Sequence, residues 1–283
     1  MSFRTLAQDW ALIAPINIGP MNDDLISTNI DTWPASDTKI ENAITAGSAA
    51  TIVGANAKGL KALEYLLFDN SGNDAVVEKY MAADSTKRRA FLNSVAQDLV
   101  TQTTNLKNYW NDGYLNVFVT AKGNDVSGSV SQLVNTIALY LDNIKNLKVG
   151  NPIGKGVKVN DNQIHPDKIE YTLAEESLPV MKSNLQAMKI IFDGDASQGI
   201  DDLLDYVKAQ KNGQNLSDVV DSQFDDVISK IEAINSPYAT ALSNQTQQVQ
   251  DVFDSLKTLI AYFKVDVANN LGVTITFSDT DGD

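Results

Sequence analysis

The chain contains no cysteine. Disulfides, thiolate metal sites and cysteine nucleophiles are therefore excluded together, although the absence selects no compartment, since disulfide-free proteins occur in all of them. There is one histidine, His165. A zinc site of two or three histidines is out of reach for a single chain, and a Ser-His-Asp triad has only one candidate base. A metal site here has to be rich in carboxylates and carbonyls, which suit harder cations. Basic residues are outnumbered, with 22 Lys and Arg against 36 Asp and Glu, a formal net charge of −14. That sign disfavours an electrostatic nucleic-acid footprint and docking on anionic lipid, and it attracts cations. No apolar run approaches the ~20 residues of a membrane-spanning helix. The opening MSFRTLAQDW lacks the apolar stretch of a signal peptide; a mature exported form with a new initiator Met reads the same. No His-Glu-x-x-His pair and no Gly-x-Ser-x-Gly elbow is present, so hydrolysis finds little support.

What is present is ordinary globular material. The 283 residues, 43% of them hydrophobic, supply the core of one large or two medium domains. Apolar residues recur mostly at helical spacing. Leu133, Ile137, Leu141 and Ile144 mark one stripe, and Val220, Phe224, Val227, Ile231 and Ile234 a second. Ser217 and Asp218 offer a start for that second helix. Ser236 and Pro237 supply an N-cap and a Pro at the first position of another, expected to run through Val249, Val252, Phe253, Leu256, Ile260 and Phe263 to the NNLG stop. A long helix is expected to open at Asp84-Ser85. The only alternating pattern is GVTITF near the end, where Val273, Ile275 and Phe277 interleave with Thr, so an extended C-terminal segment is expected. The glycine- and proline-rich stretch KVGNPIGKGVKVNDNQIHPDK reads as a linker. The fold class is all-α, in two helical bundles: residues 1–148 and residues 149–283. GLKALEYLLFDN (59–70) also aligns with NLQAMKIIFDG (184–194) with one residue skipped. Chance and an internal duplication explain so short a match equally well; a duplication implies two similar bundles facing each other across a ligand cleft.

Several stretches together resemble the imelysin-like family of bacterial envelope proteins, also grouped as M75 peptidases. IDTWP (30–34) resembles the family's early motif. GLKALEYLLF resembles its Gly-x-His-x-x-Glu signature, followed by Tyr-Leu-Leu-Phe. RRAFLNSVAQDL, LKVGNPIG, IEYTLAEESL and LGVTITFSDTDGD resemble segments that follow in the same order. The resemblance implies a two-domain helical architecture with a site at the domain interface near the signature helix. It also implies a periplasmic or outer-surface lipoprotein linked to iron uptake. Peptidase activity belongs to some members and is not general to the fold. The resemblance begins almost at once, at LAQDW, so an N-terminal helical element of the family is expected to be missing or short.

The departure that matters is in the signature, which reads Gly59-Leu60-Lys61-Ala62-Leu63-Glu64, with Lys61 where the family has His. Positions i and i+3 share a helix face, so the family's His and Glu are placed to ligate one metal. A charged Lys61 repels a cation, and an i,i+3 salt bridge between Lys61 and Glu64 is expected in its place. The expected binding cleft comprises Gly59, Lys61, Glu64, Glu170, Asp31 and Trp33, with Glu64 as the residual metal ligand. An exposed ion pair at 61/64, a surface acid at 170 and an ordinary packed Trp33 are the competing bland readings. Arg88 and Arg89 are equally readable as interface partners or as solvated residues. His165 reads as a surface histidine, and Asp279-Thr-Asp281-Gly-Asp283 as a structural turn rather than a calcium loop, because the loop's closing Glu is absent. The expected function is a non-catalytic binding or accessory component in iron or haem uptake, with an iron ion as the candidate cofactor and an iron species, haem or an envelope uptake protein as candidate partners. An M75-type metallopeptidase and a degenerate site serving a protein partner are the alternatives.

Overall fold

The computed structural model describes residues 2–83, 85–195 and 197–277. Its regular structure is helical apart from one short antiparallel hairpin, Gln210–Lys211 with Gln214–Asn215, as the all-α expectation requires. The chain forms two compact units. The first comprises Met1–Ala7, Asn17–Asn116 and Glu170–Glu176; the second comprises Gln8–Ile16, Val117–Ile169 and Ser177–Asp283.

In the first unit the helix Asp37–Ala46 shows how local sequence sets the ends. The Ser36 hydroxyl accepts from the Lys39 N–H at the start, and Gly47, in the left-handed conformation, closes the end with its N–H on the carbonyls of Ala43 and Ile44. The long helix Ser85–Tyr109 buries Phe91, Val95, Leu99 and Leu106 along one stripe. Against it packs the signature helix Gly59–Leu67, which also meets the short helix Ile26–Asp31. The signature helix is buried almost all round: of its nine residues only Tyr65 and Leu67 are not buried. A helix in that position cannot leave a charged side chain to water, and this sets the problem that Lys61 and Glu64 must solve.

The second unit has the larger core. The stripes read from the sequence lie in it: Ile137, Leu141 and Ile144, then Val220, Phe224, Val227 and Ile231, then Val249, Val252, Leu256, Ile260 and Phe263. At its centre Phe192, Phe224 and Phe263 form a ring trio with centroids 5.8 to 5.9 Å apart. The look-alike segments lie one in each unit, helical over 59–67 and 184–193.

Three expectations change. The helix expected from Pro237 to NNLG is interrupted. Pro237 caps Tyr238–Asn244, Gln245 leaves helical geometry with φ −132°, and a new helix begins at Thr246. Gln245 uses its side chain there, accepting from the Asn235 N–H and donating to the Ser236 hydroxyl. The GVTITF segment forms no strand among the described residues. Asn135 takes the place of a neighbouring strand, donating to the Thr274 carbonyl and accepting from the Thr276 N–H. The stretch read as a linker is built into the second unit, with residues 149–154 buried. Its glycines allow close backbone approach: a methyl group at Gly156 would lie 2.3 Å from the Asn146 carbonyl. The Asn151 side chain then accepts from the N–H groups of Lys158 and Val159.

Candidate functional site

Gly59 opens the signature helix with φ +73°, and a Cβ there would sit 2.3 Å from the Ile30 carbonyl oxygen. Only glycine lets the signature helix approach the end of the helix Ile26–Asp31 so closely. That approach sets Asp31 beside Lys61. Gly59 is therefore a packing residue that shapes the site.

Lys61 is almost completely enclosed, its side chain 1% exposed. Its Nζ lies 2.7 Å from Asp31 Oδ1 and 2.8 Å from Glu170 Oε1. It also lies 2.9 Å from the centre of the Tyr171 ring. Two opposite charges and the ring face together hold the group. Tyr171 is itself buried and adopts φ +55°, a strained conformation for a bulky residue. Its hydroxyl donates to Asp31 Oδ1 at 2.9 Å, tying the same carboxylate from a second side. Burial pushes the Tyr171 phenol well above its ordinary value, and the charges of Asp31 and Glu170 add to this.

The i,i+3 pairing expected between Lys61 and Glu64 gives way to longer-range partners. Glu64 Oε1 accepts from the Ala174 N–H at 2.9 Å. Burial raises the Glu64 carboxyl above the ordinary glutamate value. The N–H groups of Ala174 and Leu173 and the Lys61 ammonium pull it back, and Glu170 repels it further. The segment Glu170–Glu176 thus closes over the signature helix twice, by ion pair and by backbone. Its far end is held by Arg4, whose Nη1 donates to the buried Glu176 at 3.1 Å. Phe3 packs on Phe68 and Tyr171, with ring centroids 5.3 and 6.3 Å away.

Of the residues singled out from sequence, Asp31, Lys61 and Glu170 meet directly, Glu64 is electrostatically coupled to Lys61 and Glu170, and Gly59 shapes their approach. All five belong to the first unit. Trp33 is half-buried in the turn after Asp31 and is not among the side chains holding Lys61. Arg88 pairs with Glu41, its Nη2 2.9 and 2.7 Å from the two carboxylate oxygens, while Tyr65 donates to the same group at 2.7 Å. Arg89 donates to the Tyr80 carbonyl. His165 hydrogen-bonds Asp161 at 2.9 Å, as a surface histidine would. The residues of the terminal Asp279–Asp283 turn lie outside the described residues.

Two participants were not legible from sequence. Tyr171 follows Glu170 in the chain, but nothing in its neighbours announces a left-handed backbone. Lys58, at the N-cap of the signature helix, pairs with Asp98 at 3.7 Å, both buried. A cation at a helix N-terminus opposes the helix dipole, and Asp98 offsets it. Among the described residues, no three of His, Asp and Glu are grouped closely enough to hold a metal ion. The residues at the signature do not fit a metal: the ammonium already neutralises the two carboxylates and would repel a second cation.

The family model for imelysin, peptidase M75, matches residues 2–262. This chain belongs to the imelysin family. Two solved structures share its fold. An imelysin-like protein from Psychrobacter arcticum 273-4 is 17% identical, with TM-score 0.75, over 97% of this chain and 81% of that one. A candidate iron-regulated protein A precursor from Parabacteroides distasonis ATCC 8503 is 17% identical, with TM-score 0.76, over 95% of this chain and 81% of that one. No curated protein matches the chain. Within the imelysin family, this member carries Lys61 in the helix Gly59–Leu67, where the sequence resembles the family signature.

Proposed function

We propose that this imelysin-family protein is a non-catalytic component of iron or haem acquisition in the bacterial cell envelope. One observation carries the reading: Lys61 sits in the signature helix as an ammonium paired to both Asp31 and Glu170. Metal-assisted hydrolysis needs an open coordination position and an activated water. A charge-neutralised, enclosed cluster supplies neither, and it suits a rigid scaffold for binding. The iron connection rests on family membership and on the name of the Parabacteroides distasonis protein, which shares the fold. The envelope location is part of the same proposal and is supported by family membership.

The test combines two measurements on the purified chain. A generic protein substrate is incubated with it, with and without EDTA, and its melting temperature is followed with haem and with chelated Fe³⁺. The expected result is no cleavage and a saturable rise in melting temperature with one of the iron compounds. EDTA-sensitive cleavage that is lost in Glu64→Ala would overturn the reading in favour of a metallopeptidase. No cleavage and no thermal response would overturn it in favour of a role confined to protein partners.

A further inference from the structure

We infer that the Lys61 ammonium stands in the position of a bound cation, so that the protein supplies its own positive charge at the signature helix and takes up no free metal ion there. This rests on the reading that the signature helix carries the family's binding site.

The surroundings of Nζ are those of a site for positive charge. Two carboxylate oxygens lie at 2.7 and 2.8 Å, on segments 139 residues apart in the chain (31 and 170), and the face of Tyr171 lies at 2.9 Å. An aromatic face attracts a cation whatever its shape. The ammonium is 1% exposed and sits between the two carboxylates and the ring, the place a bound cation would take. The strained backbone of Tyr171 and the glycine required at position 59 both serve to close the enclosure. Hard cations are held by carboxylate and carbonyl oxygens at about 2.0–2.6 Å, and the volume they would need is filled by the lysine head group. A divalent ion therefore has to displace an ammonium that is tethered covalently and fully desolvated.

The probe is Ca²⁺, added to the metal-stripped full chain and followed by thermal unfolding. Wild type is expected to show no saturable shift. Lys61→Ala removes the amine and leaves Asp31 and Glu170 facing an open space. It is expected to melt lower, and to regain about 3 °C or more in millimolar Ca²⁺. Lys61→Met keeps the volume filled, and is expected to melt lower without any response to Ca²⁺. Asp31→Asn in the Lys61→Ala background should abolish the response. If Lys61→Ala does not fold without cation, its refolding yield with and without Ca²⁺ reads the same quantity. The inference is overturned if wild type responds as strongly as Lys61→Ala, or if Lys61→Ala gains nothing from Ca²⁺ in melting or refolding. Neither result touches the haem and ferric-chelate response of the preceding section, so the two readings fail separately.

Discussion

Substituting Gly59 by Ala separates two costs that usually arrive together. Gly59 and Gly47 both hold left-handed backbone, with φ +73° and +68°. An L-residue in that region costs about 1–2 kcal/mol. At Gly47 nothing lies within 4 Å of the added methyl, so that strain is the whole penalty. At Gly59 the methyl would lie 2.3 Å from the Ile30 carbonyl oxygen and 2.8 Å from that of Asn29. Both obstacles are backbone and cannot rotate aside, so the helix Ile26–Asp31 has to move away from the signature helix. Overpacking of this kind adds about 1–3 kcal/mol. Gly59→Ala should therefore cost roughly 2–5 kcal/mol, against ~1–2 for Gly47→Ala. At about 2–4 °C per kcal/mol, Gly59→Ala should lower the melting temperature well beyond the Gly47 control. Calorimetry is the assay of choice, because a chain of two compact units need not unfold in one step. Equal losses for the two variants would refute the argument that close backbone approach, rather than torsional strain, makes Gly59 indispensable.

Other outcomes follow from the same geometry. Glu64→Gln keeps an acceptor for the Ala174 N–H and removes a carboxylate whose proton affinity burial raises. The folded form holds that proton more tightly than the unfolded chain, so wild-type stability from this group falls as pH rises above the ordinary glutamate value. Glu64→Gln should thus gain on wild type between pH 4.5 and pH 7, measured as the difference in urea midpoints. Phe224→Ala opens a void in the ring trio of the second unit and should cost about 3–5 kcal/mol in denaturant unfolding. Asn135→Leu removes the three side-chain hydrogen bonds to Thr274 and Thr276, and should speed hydrogen exchange at the Thr276 amide while leaving the ring trio protected.

The helices were legible because their apolar periodicity is strong. The stripes through Ile137, Phe224 and Leu256 lie in the core as spaced. The break at Gln245 was not legible, since it depends on a side chain reaching back to Asn235 and Ser236 rather than on any breaker residue. The alternating GVTITF pattern promised a strand, but a strand needs a neighbour, and an asparagine side chain fills that role. At the site, Lys61, Glu64, Asp31 and Glu170 were legible as a set through family resemblance. Their pairing was not. An i,i+3 spacing makes Lys61–Glu64 the obvious pair on an exposed helix. Burial of the helix face that carries them changes the outcome, because each charge must then find partners that arrive from other segments.

The segment Glu170–Glu176 joins a unit whose other residues all precede position 117. During synthesis Asp31, Lys61 and Glu64 leave the ribosome more than a hundred residues before Glu170 and Ala174, their partners. Until then the signature helix carries a lysine with one of its two carboxylates and a glutamate without its amide. The first unit is therefore complete only once a short piece of chain made after residues 117–169 of the second unit has emerged. A nascent chain arrested before residue 170 should be far more protease-sensitive in its signature helix than one arrested after residue 176. The order of translation is thus written into where seven residues return.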